Sequence, residues 1–163
     1  MPPGSKPKLP SLGPINLALF SIFMLIAGIG SIVPVLVKDR LTEQFRPLWQ
    51  RLLATPDDEW GFVGESVAIA SQWIIGLTEL TAAFLAATAL ARPTHRLALA
   101  KAALGLATAL FGAFMIVLFF LHEASLPKWN QYPAILVWIG LTWILVERDA
   151  SALGTSRSGS ARG

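Results

Sequence analysis

The chain has 163 residues, of which 54% are hydrophobic and only 14% charged, and its mean hydropathy is +0.59. Soluble domains contain roughly 45–50% apolar and about 25% charged residues, so this composition excludes an ordinary soluble globule and predicts a membrane protein in contact with the lipid bilayer. The net charge of +3 comes from Lys and Arg residues scattered singly along the chain, which predicts membrane-flanking cations and no nucleic-acid partner.

A short polar tail precedes the first apolar block. Residues 1–13 are rich in Pro, Gly, Ser and Lys and lack periodicity, which predicts a disordered N-terminal tail. Residues 14–37 contain no ionisable side chain, and they are longer than the ~7–15-residue apolar core of a cleavable signal. They therefore predict a retained first transmembrane helix.

The segment 38–64 that follows is amphipathic. Its apolar residues recur at the spacing of one helical face, and they are Leu41, Phe45, Leu48, Trp49, Leu52 and Leu53. Cationic residues flank this face, which predicts an interfacial helix that Pro47 interrupts. Phe45, Trp49 and Trp60 are the candidate residues for docking a partner protein.

Three more apolar blocks predict three more transmembrane helices. They lie at about residues 65–91, 97–121 and 130–147. Pro93 cannot continue a helix, so the second block ends before it, and the short link predicts that the second and third helices are antiparallel neighbours. The fourth block is too short to cross a ~30 Å hydrocarbon core by itself, so a fourth span must also include residues on either side of it. Residues 148–163 are polar and aperiodic, which predicts a disordered C-terminal tail.

These elements predict an all-α fold, a bundle of four transmembrane helices with an interfacial segment between the first two. Stripes of small residues four apart predict its contact faces, namely Ala27 and Ser31, then Ala83, Ala87 and Ala91, and then Gly105, Ala109 and Ala113. The rings of Trp129, Tyr132 and Trp143 are expected at the headgroup boundaries. Since four spans place both termini on one side, eight cations lie there against five opposite, which favours cytoplasmic termini.

Glu79 is the most informative polar residue, because it lies near the middle of the second predicted span. A charged side chain there costs ~2.5–3.5 kcal/mol even on the mildest scales, so Glu79 should not face lipid. At 100° per residue, its helix face also contains Glu65, Gln72, Gly76, Ala83 and Ala86. This face predicts a line of hydrogen-bonding groups from the membrane surface to mid-membrane, at Glu65, Gln72 and Glu79.

Two interpretations of this line remain open. A protonated Glu79 could donate a hydrogen bond to a neighbouring helix and serve packing alone. Alternatively, the line could conduct protons or orient a polar headgroup such as a quinone carbonyl. The sequence offers no motif for intrinsic enzymatic chemistry, because it has no Cys, no metal-ligand spacing and no phosphate-binding loop, and its two histidines lie at opposite ends of the third span. We therefore expect no intrinsic cofactor, no metal site and no catalytic residue.

The second and third spans resemble the DoxX-like family of small four-helix membrane proteins. The resemblance rests on the run Gly76-Leu-Thr-Glu79-Leu80, the apolar stretch that follows, and Arg92 before a short turn into an Ala- and Leu-rich helix. The family's membrane glutamate would correspond to Glu79 and its basic residue to Arg92. The resemblance implies a bacterial cytoplasmic membrane and an accessory or quinone-related role beside membrane redox complexes, as in thiosulfate:quinone oxidoreductase.

Three functions follow as hypotheses. The first is a non-catalytic accessory or anchor subunit of a larger membrane redox complex. The second is a quinone-handling oxidoreductase subunit that uses Glu79. The third is a small transporter or proton pathway along Glu65, Gln72 and Glu79.

Overall fold

The described part of the chain is almost entirely helical. The computed structural model describes residues 11–38, 62–120 and 131–160. Its four helices are α1 (Leu12–Lys38), α2 (Phe62–Ala91), α3 (Arg96–Phe120) and α4 (Gln131–Ser160), and a 3-10 turn at Pro93–His95 joins α2 to α3. The all-α prediction is confirmed for these ranges. The predicted interfacial segment lies outside them, apart from its ends at Lys38 and 62–64, which belong to α1 and α2.

Three of the described helices are long and apolar enough to cross a membrane. These spans are Leu12–Leu36, Ser66–Ala91 and Pro93–Val117, close to the first three predicted blocks. The chain is therefore a multi-pass membrane protein whose helices are suited to contact with lipid. Helix α4 does not belong to this group, because its carboxyl-terminal half is polar.

Helix α4 extends further than the sequence pattern predicted. Its backbone is helical to Ser160, so residues 148–160, expected to be disordered, continue the helix in the structure. Two contacts support this extension. The Ser151 hydroxyl donates to the Glu147 carbonyl oxygen at 2.9 Å, and the Gly13 backbone N–H of α1 donates to the Asp149 carboxylate at 3.0 Å. An apolar periodicity cannot reveal such an extension, because polar contacts stabilise it.

The helices form a closed ring in which each packs against two neighbours. Helix α1 contacts α2 and α4, and α3 contacts the same two helices from the opposite side. The turn between α2 and α3 is held by backbone hydrogen bonds from Arg92 N–H to Thr88 O at 2.9 Å and from His95 N–H to Arg92 O at 3.1 Å. This tight turn makes α2 and α3 antiparallel neighbours, as the short link predicted.

The core of the bundle is built from large residues of α1 and alanines of α2 and α3. Leu17, Phe20 and Met24 are fully buried. The alanines that pack around them are Ala82, Ala83, Ala86 and Ala89 of α2 and Ala100, Ala103 and Ala107 of α3. Small side chains let the helices approach closely, which is the main source of helix association in lipid.

Part of the predicted small-residue pattern is wrong. Ala87 and Ala91 of α2 and Ala109 and Ala113 of α3 are exposed, and only Ala83 of the α2 stripe is buried. Both helices carry alanines on more than one face, so spacing alone does not select the contact face. Which alanine-bearing face becomes the contact face depends on where the neighbouring helices lie in the bundle.

Candidate functional site

Glu79 is buried at the contact between α1 and α2. Its side chain is 5% exposed, and the Ser31 hydroxyl of α1 donates a hydrogen bond of 2.8 Å to Glu79 Oε2. The helix face that carries Glu79 points inward as predicted, since Gln72, Gly76, Ala83 and Ala86 are all buried, whereas Leu77 and Phe84 are exposed. The structure thus shelters the carboxyl group from lipid and supplies it with a partner.

Gln72 joins the same polar cluster through Ser31 rather than through Glu79. Its side chain is fully buried, and its Nε2 donates to the Ser31 carbonyl oxygen at 3.3 Å. Gln72 Oε1 is also buried and has no hydrogen-bond partner among the described atoms. Ser31, predicted only as a small packing residue, is therefore the residue that links the polar groups. The side chain of Glu65 lies outside those that the structure describes.

A close approach of the backbones makes the Ser31–Glu79 contact possible. A Cβ atom added to Gly76 would overlap the side chain of Ile32 and come within 3.2 Å of Ser31 Cβ. A Cβ atom on Gly28 would come within 2.8 Å of Leu80. These two glycines therefore set the distance between α1 and α2 that lets a short serine reach a glutamate.

A cavity of about 290 Å³ lies beside Glu79 and is walled by all four helices. Its lining is Phe23, Ile26, Ala27, Gly30 and Ser31 of α1, Glu79 of α2, Phe111 and Phe114 of α3, and Gln131, Tyr132 and Ile135 of α4. Most of this surface is apolar and aromatic, and four polar side chains are set into it. Small-molecule sites have this composition, an apolar wall with a few placed polar groups.

The aromatic wall includes Tyr132, whose burial the sequence did not predict. It is 6% exposed, and its ring stacks on Phe114 with centroids 5.4 Å apart. Phe111 lies 5.8 Å from the same ring. No spacing along the chain predicts this cluster, because its members belong to different helices. The position of Tyr132 at a headgroup boundary stays a prediction.

The cavity lies towards one end of the α1–α4 contact. The two helices are held together at the other end by the Gly13–Asp149 hydrogen bond, and further along by the contact of Trp138 with Phe23, whose rings are 5.6 Å apart. Beyond these contacts, Gly30 of α1 and Gln131 of α4 line the cavity and are exposed. Among the described residues, the cavity is therefore open between α1 and α4.

A charged pair lies between α3 and α4, separate from the cavity lining. Lys101 Nζ lies 2.6 Å from Glu147 Oε1, and the Trp143 indole N–H donates to the same oxygen at 3.1 Å. Lys101 thus pairs with α4. Phe45, Trp49 and Trp60, the predicted docking residues, lie outside the described ranges.

No protein-family model, curated protein or solved structure matches this chain. The chemistry of the cavity therefore has to be inferred from its own residues. Among the described residues, no cluster of three or more His, Cys, Asp or Glu side chains could hold a metal ion.

Proposed function

We propose that this membrane protein binds the ring of a lipid-soluble quinone in the cavity beside Glu79. The observation that carries the proposal is the position of Glu79, held by Ser31 at 2.8 Å, in the wall of an aromatic-lined cavity of about 290 Å³. The same observation argues against the alternative in which Glu79 serves only helix packing, because a purely structural carboxyl group needs no adjoining cavity.

The size and lining of the cavity suit one substituted ring. Ligand sites usually enclose about 300–1,000 Å³, so this cavity is at the small end and holds a headgroup rather than a whole lipid. Phe23, Phe111 and Phe114 supply flat apolar surfaces on which an aromatic or quinonoid ring can pack. A charged or strongly hydrated ligand would lose its water there without compensation.

The polar groups of the lining serve both redox forms of such a ring. A quinone carbonyl needs a hydrogen-bond donor, which a protonated Glu79, the Tyr132 hydroxyl or the Gln131 amide provides. A hydroquinone hydroxyl needs an acceptor, which an ionised Glu79 or the Gln131 carbonyl oxygen provides. The cavity therefore fits a ligand that alternates between accepting and donating hydrogen bonds.

Within this proposal, the protein acts as an accessory subunit of a larger membrane redox complex. The sequence has no motif for a protein-held redox centre, so a partner chain would exchange electrons with the bound quinone. The resemblance to the DoxX-like family supports the same role and the bacterial cytoplasmic membrane. For the transporter alternative, the described contacts give one connection, in which Ser31 bonds to Glu79 and accepts from Gln72.

We further propose that α4 crosses the membrane as the fourth span. Asp149 of α4 contacts Gly13 at the start of α1, whereas Tyr132 shares the cavity with Ser31 near the other end of α1. At 1.5 Å per residue, the stretch between Tyr132 and Asp149 is about 26 Å long and runs antiparallel to α1. If α1 crosses the membrane, this part of α4 lies at the same depth.

The test of quinone binding measures how a substitution at Glu79 changes the affinity for the oxidised and for the reduced form of the ligand. In lipid nanodiscs, quenching of tryptophan fluorescence would report binding of decylubiquinone and, without oxygen, of decylubiquinol. Glu79→Gln keeps a donor and an acceptor but cannot ionise. We expect it to weaken decylubiquinol binding by up to about tenfold, because a hydrogen bond to an ionised carboxylate is stronger than one to an amide oxygen, and to change decylubiquinone binding less.

Two further variants complete the test. Glu79→Leu removes all hydrogen bonding and should weaken both ligands. Thr81→Val is the matched control, because Thr81 is on the exposed face of α2 and bonds only to its own helix at Leu77 O. No saturable binding to the unsubstituted protein, or equal binding by all three variants, would overturn the proposal.

A further inference from the structure

The open side of the cavity lies between α1 and α4, where α1 presents exposed apolar surface and α4 presents Gln131 and the half-buried Ile135. Ile26 of α1 is 66% exposed and lines the cavity. Ile135 of α4 lines it from the other side, next to the exposed Gln131. In a bundle that crosses a membrane, an opening with apolar edges faces lipid rather than water. A ligand dissolved in the bilayer can reach it sideways.

Gly30 lies at this opening and leaves it wide. A Cβ atom placed on Gly30 would meet no described atom within 4 Å, so the residue borders open space. This distinguishes Gly30 from Gly28 and Gly76, where an added Cβ would collide with the facing helix. Gly30 is therefore not needed for close helix packing.

The backbone carbonyl group of Gly30 lacks its usual helical donor. In a regular helix the carbonyl oxygen of residue 30 accepts a hydrogen bond from the N–H of residue 34, but Pro34 has no N–H. A backbone carbonyl oxygen without a hydrogen-bond donor costs free energy in lipid, so a donor from another group would stabilise it. The opening thus lies between the apolar side chain of Ile26 and the polar side chain of Gln131, next to a helix position without its usual backbone donor.

We propose that the ligand enters sideways from the bilayer between α1 and α4 and binds with its ring inward and its apolar tail in this opening, whose width Gly30 sets. This inference rests on the proposed quinone-binding function. It adds the route by which the ligand enters, the orientation in which it binds, and the residue that leaves room for its tail. The cavity of about 290 Å³ lies just below the range of about 300–1,000 Å³ that encloses a whole ligand, so a long tail has to leave it. The opening at Gly30 leads directly to the lipid where such a tail is soluble.

The experiment compares ligands with and without a tail on a variant that narrows the opening. The probes are decylubiquinone, which has a ten-carbon tail, and ubiquinone-0, which has the same ring without it. Each is titrated into the full chain in nanodiscs, with Gly30→Ala and Gly30→Leu as a graded pair. The matched control is Gly140→Leu, because Gly140 lies exposed on α4 and an added Cβ there also meets no described atom within 4 Å.

We expect Gly30→Leu to weaken decylubiquinone binding about tenfold or more and to leave the equilibrium affinity for ubiquinone-0 nearly unchanged. Gly30→Ala should have an intermediate effect, and Gly140→Leu none. Unchanged thermal unfolding of all variants in the nanodisc would exclude misfolding as the cause.

The remaining outcomes separate this inference from the function on which it rests. If both probes bind the unsubstituted protein and Gly30→Leu changes neither or weakens both equally, the tail does not pass Gly30 and the inference is overturned, while quinone binding stands. If neither probe binds the unsubstituted protein, the proposed function fails and this inference fails with it.

Discussion

Single residues at the α1–α2 contact determine whether a carboxyl group can be kept in the membrane. Ser31 supplies a hydrogen bond to Glu79, and such a bond between membrane helices is worth about 0.6 kcal/mol on average and up to about 1.7. That gain is smaller than the cost of placing a charged carboxylate at the bilayer centre, so the bond alone does not explain why a glutamate is there. The adjoining cavity offers a reason, because a ligand can use the same group.

Gly76 provides a test of the close approach that brings Ser31 to Glu79. Gly76→Ala should destabilise the bundle by about 1–3 kcal/mol, because its Cβ would overlap Ile32 and force α1 away from α2. Unfolding of the purified protein by a denaturing detergent would measure this loss. Gly140→Ala is the control, and it should be neutral or stabilising by up to about 1 kcal/mol, since Ala is the better helix former and the site is open. Equal stability of both variants would contradict the structure at this contact.

At the scale of the element, α4 is the helix whose position in the bundle depends most on polar contacts with its neighbours. Its apolar part is short, yet it extends to Ser160, and it pairs through Glu147 with Lys101 of α3 and through Asp149 with Gly13 of α1. The Lys101–Glu147 pair is partly exposed in the bundle and contributes little by itself. Asp149 is different, because a carboxylate next to the first N–H groups of a helix both accepts a hydrogen bond and interacts favourably with the helix dipole.

Asp149→Ala should therefore loosen the beginning of α1 rather than the whole bundle. We expect a loss of about 0.5–2 kcal/mol, the usual worth of a cap, together with faster hydrogen exchange at the backbone amides of residues 12, 13, 15 and 16. Asp149→Asn should recover most of the loss, since it keeps the acceptor oxygen. Ser151→Ala, which removes the bond to the Glu147 carbonyl oxygen within α4, should leave the exchange of α1 unchanged. Unaltered exchange in Asp149→Ala would show that α4 does not cap α1.

At the scale of the whole molecule, the antiparallel ring of helices determines where the termini lie. Helices that alternate in direction place the start of α1 and the end of α4 on the same side, provided that α4 crosses the membrane as we propose. The opening beside Gly30 then lies nearer the opposite side of the membrane, where α1 ends and α4 begins. A quinone would enter there from the half of the bilayer opposite the termini.

The topology prediction states which side that is. With cytoplasmic termini, single cysteines at Ser5, Thr55 and Ser158 should react with an impermeant thiol reagent in intact cells only at Thr55. After the cells are opened, all three should react, which controls for a buried thiol. Labelling of both termini in intact cells would reverse the orientation, and labelling of just one terminus would show that α4 does not cross.

The sequence by itself determined that the protein is helical and belongs in a membrane, because long apolar blocks and a 3.6-residue period record which surfaces avoid water. It also predicted that Glu79, Gln72 and Gly76 face inward, since a polar residue in mid-membrane has to avoid lipid. Only the tertiary structure showed that Ser31 is the partner of Glu79, that Tyr132 is inside, and that Ala83 is buried whereas Ala87 is exposed. These depend on contacts between residues of different helices, 48 positions apart for Ser31 and Glu79, or on a choice between similar faces, and no local pattern encodes either.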